Sequence, residues 1–253
     1  MTRCGTHPSA SSDASEPGAD CSERALREAP WSPLLGLRRA RRGMIVSVLL
    51  GCLLVGVFGA FPGLDLATSA RFFDATAAPP VFRFDRVAWM EPFVLATAVA
   101  ARLVLLASLA LLARELWRPT RRRLQVIVVA LSLALGPGLV VNEVLKPAWS
   151  RARPRDLQVF GGTLAFTPVT RRADQCPRNC SFPSGHGGAA FAPLVGHFVS
   201  RRRCWLVAGL VLGGVVCATR LISGAHFLSD LLASGIVVYA TGAIVAWAVL
   251  RRR

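Results

Sequence analysis

Long apolar runs recur along this chain, and clusters of arginine close most of them off. Met44 to Phe61, Phe93 to Leu112, Leu124 to Leu145, His186 to Ser200, Cys204 to Thr219 and His226 to Leu250 read as six helical spans. About 20 apolar residues in a helix cross a hydrocarbon layer of about 30 Å. That layer offers no water to backbone N–H and C=O groups, so a spanning segment must satisfy them internally, as a helix does. The expected fold is therefore all-α, a six-transmembrane-helix bundle. A composition of 53% hydrophobic and 17% charged residues agrees: it excludes general disorder and points to a membrane protein rather than a soluble enzyme.

The net charge of +16 comes from arginine, because Lys146 is the only lysine. So basic a chain could be a nucleic-acid binder. The distribution argues otherwise: Arg38, Arg39, Arg41 and Arg42 precede the first span, and Arg114, Arg118, Arg121, Arg122 and Arg123 separate the second from the third. Arg201, Arg202 and Arg203 separate the fourth from the fifth, and Arg251, Arg252 and Arg253 follow the sixth. In a six-span chain these clusters alternate to one side, which the positive-inside rule makes cytoplasmic, with both termini there. Residues 1–36, rich in Ser, Ala and Pro, are expected to form a disordered cytoplasmic tail, and 37–253 the membrane domain. No ordinary signal peptide is legible, since the apolar region begins only at Met44. The loop 64–92 carries a short interfacial helix around Leu66 to Phe73. Arg102 interrupts the second span and is expected to snorkel or to face the bundle in a structural role.

Three segments at the opposite ends of the spans form a chemical set. Lys146 is followed, after six residues, by Arg153-Pro154. Pro183-Ser184-Gly185-His186 opens the fourth span. Thr219-Arg220 is followed by five residues, His226, three residues and Asp230. Lys146, Arg153 and Arg220 supply fixed positive charge for phosphate oxygens, the arginines bidentately. Ser184 and Gly185 would present free N–H groups at a helix start, where the dipole favours an anion. Two histidines can divide nucleophilic and general-acid work. On a helix, Asp230 would share a face with His226 and could orient its ring.

This order and spacing resembles the type 2 phosphatidic acid phosphatase family, which also includes the vanadium haloperoxidases. Its pattern is K-x6-RP, PSGH and SR-x5-H-x3-D, and the chain matches it over 85 residues, Lys146 to Asp230, with Thr219 in place of the usual Ser. The resemblance implies that His226 is the nucleophile and forms a phosphohistidine, that Asp230 holds its tautomer, and that His186 protonates the leaving oxygen. Lys146, Arg153, Arg220 and the Ser184–Gly185 region would bind the phosphate. It implies no metal and no cofactor, the cations taking that part.

The fourth and fifth spans, of 15 and 16 residues, cover only about 22 and 24 Å at 1.5 Å per residue. Their outer ends, bearing His186 and Arg220, should therefore lie at the level of lipid phosphates. The expected substrate is a membrane lipid phosphate or pyrophosphate: undecaprenyl pyrophosphate, phosphatidic acid, phosphatidylglycerol phosphate or lipid A phosphate. The loop from Cys176 to His186 resembles that of bacterial lipid A phosphatases of the family. The enzyme would sit in the inner membrane with its active-site loop on the periplasmic or exterior side. A lipid phosphotransferase would use the same residues. A haloperoxidase would be soluble, and a non-catalytic scaffold of this fold would be expected to lack a catalytic His or Arg.

Cys176 and Cys180 make a poor zinc site, without a second pair or a suitable His, and are the candidate disulfide if their loop faces an oxidising compartment. Cys52, Cys204 and Cys217 are read as small hydrophobes. His197 is read as a packing residue. Arg151 and Arg155 lie off the motif spacing and are expected to contact headgroup or lipid, and Gly187-Gly188 to allow close helix packing.

Overall fold

The computed structural model describes residues 31–252, so most of the expected tail lies outside the described residues. Its last part does not behave as a tail. Trp31 donates its indole N–H to the Phe198 carbonyl at 3.2 Å. Helix α1 (Pro33–Ala60) then begins at once, with Pro33 in its first turn and Ser32 Oγ capping Leu35 N–H. The first arginine cluster is thus helical, lying inside α1 and not ahead of it.

A short helix α2 (Gly63–Ala70) follows, then a two-stranded antiparallel hairpin of β1 (Phe73–Asp74) and β2 (Val81–Phe82). Next come α3 (Met90–Trp117) and α4 (Arg123–Leu133). Beyond α4 the chain continues as a wider, π-type helix over Ala134–Leu145, and closes with α5 (Lys146–Trp149). Pro137 lies in that wide stretch, where it has no N–H to give the ladder, and Asn142 Nδ2 donates to its carbonyl at 2.7 Å. The last two long helices are α8 (Cys204–Ile222) and α9 (Leu228–Leu250). Five helices among the described residues are long and apolar enough to cross a membrane.

The expected fourth span is not one of them. It is a broken stack of α6 (Gly185–Ala190), a 3-10 turn over Ala192–Val195 and α7 (Gly196–Val199). Pro193 and several glycines are poor material for a continuous helix. The stack nevertheless runs antiparallel along the length of α8. A Cβ on Gly213 would lie 2.2 Å from the Phe191 ring, one on Gly209 2.7 Å from Leu194, and one on Gly196 2.5 Å from Trp205. Bulky side chains sit in notches that only glycine leaves open. No residue from Cys180 to Ser200 is exposed.

Helix α9 is the hub, packing against α1, α4, the π-type stretch and α6. Its Ala243, Ala246 and Leu250 meet Ala40, Val128, Val195 and Phe198 in one core. At the other end the connection between α5 and α6 folds over two aromatic clusters. Phe82, Leu157, Phe160 and Phe227 form one, with Phe73 at 5.2 Å from Phe160. Phe58, Val169, Phe182 and Ala233 form the other, with Trp149 5.0 Å from Phe182. The loop is therefore a packed cap, held by apolar burial although it has little regular structure.

Candidate active site

The three motifs converge under this cap through backbone bonds. Ser181 N–H donates to the Arg151 carbonyl at 2.8 Å, joining the second segment to the first. Ser184 N–H reaches the Asp230 carbonyl at 3.4 Å, and Ser234 Oγ donates to both the Ser184 and Asp230 carbonyls, joining the second to the third. The Arg220 carbonyl accepts from Ala225 and His226 N–H, so the turn after α8 folds His226 back beside Arg220. That turn needs Gly224 at φ +64°, pressed against the Phe82 ring, where a Cβ would lie 2.5 Å from ring atoms.

His226 is buried. Its Nδ1 lies 2.6 Å from the Ser181 carbonyl. A carbonyl only accepts, so Nδ1 carries the proton and Nε2 keeps its lone pair. Burial, then the charges of Arg153, Arg220 and Lys146, hold the ring's pKa well below its ordinary value, against the opposing pull of the Ser181 carbonyl. This favours the neutral imidazole, with its lone pair on Nε2.

Two of the cations, Lys146 and Arg153, meet at one residue, Asn179. Its carbonyl accepts from Arg153 Nε and Nη2 at 3.1 and 2.7 Å, and its Oδ1 accepts from Lys146 Nζ at 3.3 Å. Asn179 adopts the left-handed region at φ +53°, which asparagine tolerates. It sits inside the loop that Cys176 and Cys180 close, their sulfurs bonded and their Cα atoms 5.5 Å apart. Lys146 Nζ also lies 3.5 Å from where a Gly185 Cβ would be, next to His186. Burial first, then the charges of Arg220, Lys146 and Arg153, bear on His186; Arg102, exposed on α3, contributes least.

Residues 125–253 match the PAP2 superfamily. The chain belongs to that superfamily. A lipid A 4'-phosphatase of Francisella tularensis subsp. novicida is 30% identical over 220 residues, covering 83% of this chain and 97% of the relative. A lipid A 4'-phosphatase of Rhizobium leguminosarum is 35% identical over 219 residues, covering 74% of this chain and 89% of the relative. No solved structure matches significantly. The chain is a membrane phosphatase of the PAP2 superfamily.

Against the PAP2 pattern, several details differ from the sequence reading. Helix α9 starts at Leu228, so His226 precedes it and shares no helical face with Asp230. Asp230 Oδ2 accepts the Phe227 N–H at 2.9 Å in its own first turn and lies 4.0 Å from His226 Nδ1. The link between them is Ser181, whose hydroxyl donates to Asp230 at 2.5 Å while its carbonyl accepts the hydrogen bond from His226 Nδ1–H. Ser184 Oγ accepts Gly187 N–H at 3.1 Å as a helix cap, and α6 is only six residues long. Thr219 turns its hydroxyl to the Val216 carbonyl, a bond serine could equally make. Helix α8 runs on to Ile222, past Arg220, and is longer than expected.

Arg151 departs most. It was expected at headgroup or lipid, but it is 0% exposed. Its guanidinium donates to Asp65 (2.8 Å), Asp230 (2.5 Å), Ser229 Oγ (2.9 Å) and the Thr167 carbonyl (2.8 Å), and lies 4.2 Å from the Phe227 ring centre. Arg155, by contrast, is exposed. Asp65, Ser181 and Asn179 were missed because they lie off the motif positions, and two of them act wholly or partly through backbone carbonyls. The one available signal was a carboxylate, Asp65, just ahead of the helix expected around Leu66 to Phe73.

Proposed function

We propose that this chain hydrolyses a phosphate monoester on a membrane lipid through a phosphohistidine at His226, and that the lipid is lipid A with its 4'-phosphate. The observation that carries the reading is one cluster in which a buried His226, with Nδ1–H on a carbonyl, lies within reach of the charges of a buried Arg153 and of the half-buried Lys146 and Arg220. His226 Nε2 attacks phosphorus, the bond to the lipid oxygen breaks, and that oxygen takes its proton from His186, which must first be protonated, the negative charge of the bound phosphate offsetting the burial and neighbouring cations that otherwise keep it neutral. The three cations hold the phosphoryl oxygens as charge builds on them. Water then attacks the phosphohistidine, with His186 now accepting the proton, and releases phosphate. The names of the relatives support the choice of lipid.

The motif-bearing end is proposed to face the periplasmic or exterior side of the inner membrane, with both termini cytoplasmic. The arginine distribution supports this, and so does the Cys176–Cys180 pairing. The test is phosphate release by purified protein from lipid A, phosphatidic acid, phosphatidylglycerol phosphate and undecaprenyl pyrophosphate. Lipid A should turn over fastest, with loss of the 4'-phosphate. Turnover confined to another member of the panel would refute the substrate. Release that persists in His226→Ala would refute the mechanism.

A further inference from the structure

We infer that Asp65, a residue outside every motif, is an electrostatic positioning residue for the phosphoryl transfer, acting on His226 through Arg151 and Asp230. The inference rests on the mechanism proposed above. Asp65 lies in the first turn of α2, far from the motifs in sequence, yet it is only 1% exposed. Its Oδ1 accepts the Ser229 N–H at 3.0 Å, and its Oδ2 accepts Ser229 Oγ at 2.6 Å and Arg151 Nη2 at 2.8 Å. Asp230 likewise accepts three donors, from Arg151, Ser181 and Phe227. Carboxylates surrounded only by donors are in the form that accepts, which is the ionised one.

One guanidinium is therefore shared by two carboxylates, and the buried trio carries a surplus negative charge. That surplus has a use. When Nε2 bonds to phosphorus and Nδ1 keeps its proton, the imidazole ring becomes positive. It does so among Lys146, Arg153 and Arg220, which oppose it. The nearest negative charge is Asp230, 4.0 Å from Nδ1. If Arg151 had Asp230 as its only anionic partner, the pair would be neutral and would offer the ring little. Asp65 engages the other side of Arg151, so the charge of Asp230 remains effective at His226. In a dry site an uncompensated charge at this range outweighs its value in water. Asp65 touches neither substrate nor reacting atoms.

The experiment compares wild type, Asp65→Asn, Asp65→Glu and Ser229→Ala. It reads kcat and KM with the lipid phosphate substrate, and inhibition by vanadate and by inorganic phosphate. Vanadate bonds to the ring as the phosphoryl group does, whereas phosphate only occupies the anion site. Asp65→Asn should lower kcat about tenfold or more with KM within about twofold, and should weaken vanadate about tenfold while phosphate inhibition stays within about twofold. Asp65→Glu should restore much of both. Ser229→Ala removes hydrogen bonds but no charge, so its vanadate-to-phosphate ratio should stay that of wild type. The inference is overturned if Asp65→Asn weakens both anions equally, if it leaves vanadate unchanged, or if Ser229→Ala reproduces its ratio. A wild type that binds neither anion removes the phosphoryl-transfer reading itself, and this inference with it.

Discussion

At the end of the bundle where α1 begins and α9 finishes, arginines gather on the outside. Arg38, Arg41, Arg42, Arg202, Arg203 and Arg251 are exposed or half-buried. Arg39 is tied back, donating to the carbonyls of His197 at 2.7 Å and of Ser200. Gln125 donates to the Val199 carbonyl beside it, so the starts of α1 and α4 meet the end of the broken stack there. At the opposite end two arginines are inside, Arg151 wholly buried and Arg153 8% exposed, each on assigned partners, while Arg155, Arg171, Arg172 and Arg178 around them stay exposed. The same residue type thus serves two physical purposes. Hydrated and interchangeable at one end, it biases orientation in a membrane. Dehydrated and paired at the other, it becomes a fixed charge whose exact position matters.

That contrast predicts very unequal effects of substitution. His226→Ala, which removes the proposed nucleophile, should bring phosphate release down to background, because no other group is proposed to take the phosphoryl. His186→Ala should lower kcat by roughly 10² to 10⁴, the usual range for a lost general acid, and less for substrates with a good leaving group. A profile independent of the leaving group would remove His186 from that role. Arg153→Lys should lose about tenfold or more, since a lysine cannot both grip the Asn179 carbonyl and present a fork to phosphate. Cys176→Ser frees the loop that holds Asn179, so activity should fall several-fold while the melting temperature moves by only a few degrees. A large loss of stability with full residual activity would contradict that link. Arg202→Ala, at the other end, should leave kcat within about twofold. An effect as large as that of Arg153→Lys would erase the distinction between the two ends.

The sequence carried the bundle and the chemistry unevenly. The five helices are legible because hydropathy alone makes them, whatever their neighbours. The motif residues proposed for catalysis are legible because the phosphoryl transfer they were read for restricts residue type and spacing together, and the fold brings the segments that carry Lys146, Arg153, His186, Arg220, His226 and Asp230 together under one cap. Illegible were the contacts made by main chain: the Ser181 carbonyl on His226 and the Asn179 carbonyl on Arg153 depend on conformation, which side-chain identity does not encode. Arg151 misled for a related reason. Its spacing showed that it was not a motif position, but only the fold shows that two distant carboxylates enclose it. The break at Ala192–Val195 had a sign in Pro193, outweighed by the apolar run around it.

The broken stack also bears on how this protein meets bilayers of different thickness. A segment interrupted in mid-course leaves carbonyls that hydrocarbon could not satisfy, so it must be walled off from acyl chains, and no residue from Cys180 to Ser200 is exposed. Helix α3 is its opposite, uninterrupted over 28 residues and exposed along most of its length. Outer helices of this kind are therefore expected to take up hydrophobic mismatch by tilting, while the stack bearing His186 is notched into the glycines of α8. On that expectation the site proposed around His186 keeps its geometry in membranes of different thickness.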